Sequence, residues 1–104
     1  MKFKTFKEVY PLIESKDMKE VTFGKFQNKE VVGMIKKDYE LTFTKQELED
    51  IFAMRKTYRL DDHFQKDYDG TSYYISCDGY GSYIISVMKD ASKKLYPIGV
   101  FNKN

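Results

Sequence analysis

Two stretches in which apolar and polar residues alternate with a period of two, and an apolar run between them, mark the first half of the chain. Val21 and Phe23 alternate with Thr22 and Gly24, an apolar run follows from Val31 to Ile35, and Tyr39, Leu41 and Phe43 alternate with Glu40 and Thr42. Successive side chains of a strand point to opposite faces, so this pattern predicts three strands with one face on a core. The polar triplets Gln27-Asn28-Lys29 and Lys36-Lys37-Asp38 supply the turns between them. Helical spacing flanks this block on both sides. Thr5-Phe6-Lys7-Glu8 has the form of a capping box, and Phe6, Val9, Tyr10 and Ile13 then recur at helical intervals, predicting a helix over about residues 5–16. Pro11 fits only near its first turns, where the missing N–H removes few helical bonds. Thr44-Lys45-Gln46-Glu47 is a second capping box, followed by Leu48, Ile51, Phe52 and Arg55 on one face. Glu47, Glu49 and Asp50 come early and Arg55 and Lys56 late, an order that suits the helix dipole, so this helix is expected to run to about Tyr58.

In the second half, residues 71–88 hold two runs of aromatic and β-branched residues around Asp78-Gly79-Tyr80-Gly81, the pattern of a β-hairpin. Residues 59–70 are polar and end in Asp69-Gly70, which predicts a loop. Asp90 to Lys94 forms a polar connection, and Tyr96 to Phe101 a last strand whose Pro97 points to a strand start or a sheet edge. If that strand does lie at an edge, self-association through it is open. The expected order is α-β-β-β-α-β-β-β. It describes a single α+β domain over residues 1–104, a mainly antiparallel sheet of about five to six strands with two helices packed on one face. The order of strands within the sheet does not follow from this pattern.

Composition agrees with a folded domain and narrows its setting. The chain has 104 residues, 41% hydrophobic and 16% aromatic, enough to fill one core without disulfides or a metal. Cys77 is the single cysteine, so no intrachain disulfide forms. With an amphipathic rather than apolar N-terminal segment, a reducing, cytoplasmic location is expected. No apolar run approaches the roughly 20 residues of a transmembrane helix, so no membrane partner is expected. Net charge is +2, but the cations are sixteen lysines and two arginines, Arg55 and Arg59. The planar fork that reads bases and phosphates is therefore scarce. Few alanines beside many Lys, Tyr, Phe and Ile suggest AT-rich coding, as in a low-GC bacterium or a phage or plasmid living in one. Charge is also uneven. Residues 1–45 carry ten lysines against seven acids, residues 46–78 four basic against eight acidic residues, and residues 79–104 four lysines against Asp90.

Four groups of residues invite a chemical reading. His63 with Asp61, Asp62, Asp67 and Asp69 is the only cluster of metal-capable side chains, but the pattern is unspecific and does not match an EF-hand, and a solvated acidic loop explains it. Cys77 and His63 are the only Cys–His pair, without a nucleophile signature around either. Gly79-Tyr80-Gly81 precedes a strand rather than a helix, so it is turn chemistry and not a phosphate loop. Tyr68, Tyr73, Tyr74, Tyr80, Tyr83 and Tyr96 could stack bases, with lysines supplying charge, yet the acidic segment from Asp61 to Asp69 would repel a phosphate backbone.

Tyrosine is also enriched at protein interfaces, and an acidic loop beside it suits a partner with a basic surface. The expectation is a small non-enzymatic protein-binding module without a cofactor. Its contact residues would be Asp61, Asp62, Asp67 and Asp69 with Tyr68, Tyr74 and Tyr80. Its concrete form would be an accessory or inhibitor protein of a phage or mobile element, directed for example at a host defence nuclease such as a CRISPR effector. A single-stranded nucleic-acid binder is the alternative, and a Cys- or metal-dependent enzyme the second.

Overall fold

The computed structural model describes residues 15–54, 63–77, 81–88 and 94–102. A 3-10 turn at Ser15–Asp17 leads into β1 (Met18–Phe26) and β2 (Lys29–Lys36). After the helix α1 (Lys45–Phe52) come β3 (Phe64–Tyr68), β4 (Thr71–Cys77), β5 (Ser82–Met88) and β6 (Leu95–Asn102). All six strands form one antiparallel sheet in the order β1-β2-β6-β5-β4-β3. Strands β3 to β6 are thus a meander of sequential neighbours, and the β1–β2 hairpin joins it along β6.

Two tight turns set the registers at the ends of this sheet. Gln27 and Asn28 take φ of 53° and 65° between the paired residues Phe26 and Lys29. Asp69 and Gly70 take φ of 50° and 77° between Tyr68 and Thr71. Positive φ at both central residues is the two-residue turn whose twist matches the strands it connects. The join between the hairpin and the meander spans three residue pairs, Gly33 with Phe101, Met34 with Val100 and Ile35 with Gly99. A Cβ on Gly33 would stand 2.2 Å from the Val100 carbonyl oxygen and 2.6 Å from Phe101 Cβ, so only glycine permits this approach.

The inner face of the sheet buries Phe23, Ile35, Ile75, Ile85 and Phe101 completely, together with Leu48 and Ile51 of α1. Phe101 is the centre of the ring packing, stacked on Tyr83 at 5.3 Å and tilted against Phe23 at 5.3 Å. Phe43 and Phe52 each approach it to 6.0 Å. The helix begins where the capping box predicts it. Thr44 Oγ1 accepts from Glu47 N–H at 3.1 Å and Glu47 Oε1 accepts from Thr44 N–H at 2.9 Å. Met18, Met34, Ile84 and Val100 make a second, smaller apolar cluster on the opposite face.

Four expectations are corrected. Tyr39 to Phe43 is not a strand. Its alternation is real, with Leu41 and Phe43 buried and Glu40 and Thr42 exposed, but a single backbone bond, Phe43 N–H to the Phe23 carbonyl at 2.8 Å, and the Lys19–Glu40 ion pair tie it to β1 in place of a ladder. The helix closes at Phe52 rather than near Tyr58, because Met54 N–H turns back to the Ile51 carbonyl in a three-residue spacing. Residues 64–68, expected as loop, are β3. The last strand is central, between β2 and β6's other neighbour β5, which removes it as an edge for self-association. Pro97 is tolerated there because β2 pairs only with residues 99–101, and a register shift at Ile85/Ser86 brings Ser86 opposite Pro97. The helix expected over residues 5–16 lies outside the described residues, apart from the turn at Ser15–Asp17, so one α-helix is present among the described residues.

The close approach at the join makes a contrast that stability measurements can read. Gly33→Ala should lower unfolding stability by about 3 kcal/mol in urea titration, since backbone must move to admit the methyl group. Gly70→Ala, with open space around it and only its positive φ to oppose the change, should cost about 1 kcal/mol. Equal losses would contradict the approach described for β2 and β6.

Candidate functional site

The acidic and aromatic residues singled out in the sequence converge, where described, on the β3–β4 hairpin. Alternation along these two strands separates them by face. Phe64, Lys66 and Tyr68 pair with Ile75, Tyr73 and Thr71 on the inner side. Gln65 and Asp67 pair with Tyr74 and Ser72 on the outer side. Asp67 and Asp69 are exposed, Asp67 accepting from Ser72 Oγ at 2.6 Å and Asp69 lying in the turn itself. Tyr74 is half-buried on the outer face, edge-on to the His63 ring at 4.8 Å. Tyr68 faces the other way and packs on the main core. Of the seven expected contact residues, Asp67 and Tyr74 thus share the outer face and Asp69 the turn beside it, while Tyr68 serves as packing. Asp61, Asp62 and Tyr80 lie outside the described residues.

Beside the β4–β5 ladder, an inward-facing ion pair ties this hairpin to the helix. Lys66 Nζ donates to both carboxylate oxygens of Glu47, at 2.8 and 2.9 Å. Its ammonium also lies 5.9 Å from the ring centres of Phe43 and Tyr68. Burial alone would push the Glu47 carboxyl up. The hydrogen bonds from Lys66 and from the Thr44 backbone N–H, with the Lys66 charge, outweigh it and hold the carboxyl below its ordinary value. The capping carboxylate of α1 is therefore also the anchor of β3. Further along the inner face, Tyr73 donates its hydroxyl to the Glu40 carbonyl at 3.2 Å, and burial, with nearby Tyr39 and Asp69, raises its pKa.

The other candidate chemistries are spread apart. Cys77 is buried on the inner face opposite Tyr83, whereas His63 packs against Tyr74 on the outer face. No three His, Cys, Asp or Glu side chains gather at metal-holding distance among the described residues. Tyr73 and Tyr83 are buried, and Tyr39, Tyr68, Tyr74 and Tyr96 are half-buried, so no tyrosine among the described residues presents a fully open ring. A shallow cleft of about 620 Å³ lies between the β1–β2 turn and α1, lined by Lys25, Gln27, Lys45 and Glu49 over Phe26 and Phe52. No helix of the described residues is long and apolar enough to cross a membrane.

Sequence reasoning passed over Gln65, Lys66 and Ser72. Asp69-Gly70 between Phe64-x-Lys66-x-Tyr68 and Thr71 is a strong hairpin signal that marks the first two. The Glu47–Lys66 pairing had no local signal.

Lowering of the Glu47 pKa by folding has a definite sign. The group contributes stability fully above its ordinary value of 4.5 and loses that contribution as pH falls through the lower folded value. Lys66→Met should therefore be less stable than the wild type by about 1–2 kcal/mol near neutral pH. The two stabilities should converge as urea titrations are carried down to about pH 3. Parallel curves would show that the pair contributes nothing specific.

No family model matches the chain, and neither a curated protein nor a solved structure shows significant similarity to it.

Proposed function

We propose that this chain is a small protein-binding module whose outer β3–β4 surface docks onto a basic face of a protein partner. The observation that carries the reading is the pair of exposed carboxylates, Asp67 and Asp69, on a hairpin that also presents Gln65 and part of Tyr74. Lys66, the one cation of that hairpin, is turned inward onto Glu47 and leaves the outer surface negative. Exposed charge of one sign steers an oppositely charged partner and fixes its register more than it adds affinity. The half-buried Tyr74 offers a rigid surface beside it. A role as accessory or inhibitor protein of a phage or mobile element, acting on an enzyme that handles nucleic acid, fits this surface because such enzymes present basic grooves. The scarcity of arginine and the absence of a fully open tyrosine ring among the described residues favour this reading over single-strand binding.

Capture from a nuclease-treated low-GC bacterial lysate tests the assignment. Tagged wild type should retain one stoichiometric protein partner, and the double variant Asp67→Lys, Asp69→Asn should retain it about tenfold less well at about 0.1 M salt. Asparagine keeps the left-handed turn conformation, so the fold is spared. Undiminished capture by the double variant, or loss of all bound material on nuclease treatment, would overturn the proposal.

A further inference from the structure

The two edges of the sheet are not alike. β1 is interrupted by a register shift between Thr22 and Gly24, and the Phe23 carbonyl at that point already accepts from Phe43 N–H. β3 pairs regularly with β4 over all five residues. In an antiparallel pair closed by a two-residue turn, the residues flanking the turn exchange both bonds, and every second residue does the same. Tyr68, Lys66 and Phe64 therefore turn their N–H and C=O groups toward β4, while Gln65 and Asp67 turn theirs outward. Among the described residues, no backbone bond reaches that outer side.

We infer that the outer edge of β3 is a strand-addition site for an extended basic segment of the protein partner; this rests on the protein-binding reading above and specifies its mode. An incoming antiparallel strand pairs its backbone with Gln65 and Asp67. Residues directly opposite these two point to the outer face, where Asp67 selects lysine or arginine. Residues opposite Lys66 point to the inner face, beside the half-buried rings of Phe64 and Tyr68, and are apolar. The recognised pattern is thus basic–apolar alternation. A second copy of β3 fits less well, because full antiparallel overlap sets Gln65, and no cation, opposite Asp67. The Lys66 charge is already satisfied by Glu47, so a different strand meets no unpaired cation there.

A labelled decapeptide of alternating lysine and valine tests the site by fluorescence anisotropy. N-methylation of its lysines, whose N–H groups face β3, should weaken binding about tenfold, whereas N-methylation of its valines should leave it within about twofold. Gln65→Pro removes an N–H that β4 does not use and sets a ring in the path of the added strand, so it should weaken binding about as much with an unchanged unfolding midpoint. Equal binding of the two methylated peptides, or unaltered binding to Gln65→Pro, would overturn the inference. So would concentration-dependent dimerisation abolished by Gln65→Pro, which would assign the edge to a second copy. If the partner from lysate is lost with Asp67→Lys, Asp69→Asn but kept by Gln65→Pro, strand addition fails while the protein-binding reading stands.

Discussion

The three residue pairs that join β2 to β6 carry the architecture. Everything N-terminal in the described sheet is attached to the meander through Gly33, Met34 and Ile35 against Gly99, Val100 and Phe101. Glycine stands on both strands of this join. A Cβ on Gly99 would meet the Met34 carbonyl oxygen at 2.7 Å, as one on Gly33 would meet that of Val100 at 2.2 Å. This close approach places Phe101 where rings from β1, the 39–43 segment, α1 and β5 all reach it. Burying rings of that size supplies much of the driving force of a domain this small. Gly24 repeats the device on a smaller scale, since a side chain there would collide with Leu48 of the helix.

From that centre the candidate surface is positioned by a short chain of contacts. The 39–43 segment, held by buried Leu41 and Phe43, delivers Thr44 to the start of α1, and the Thr44 cap fixes the backbone around Glu47. Glu47 then reaches across to Lys66 and draws the inner side of β3 onto the fold. With Lys66 turned inward, strict alternation leaves Gln65 and Asp67 facing out, and the Asp69-Gly70 turn holds a second acid at the tip. The negative outer surface is thus a consequence of where one lysine finds its partner.

Much of this was legible in the residues, and the failures have physical causes. Strands β1, β2, β4 and β5 and the start of α1 announce themselves by alternation, turn chemistry or a capping box. Residues 39–43 carry the same alternation as a strand, but alternation reports which side chains are buried and not whether the backbone has a pairing partner. β3 was hidden by polarity. Gln65, Lys66, Asp67 and Asp69 read as loop because nothing local reveals that Lys66 is satisfied by a residue nineteen positions away. The centrality of β6 was hidden because Pro97 reads as an edge signal, whereas the ladder with β2 begins only at Gly99. Of the expected contact residues, Asp67 and Tyr74 lie on the outer face, Asp69 in the turn beside them and Tyr68 on the inner face, an assignment that depends on a register the loop reading lacked.

Amide hydrogen exchange on the free protein tests the account most directly, since it reads the join and the open edge together. Exchange at residues 33–35 and 99–101 should be among the slowest in the sheet. Along β3 it should alternate, slow at Lys66 and Tyr68 and fast at Gln65 and Asp67. Uniform protection from Phe64 to Tyr68 would mean that the edge is already covered, and rapid exchange across the join would mean that the two parts of the sheet open separately.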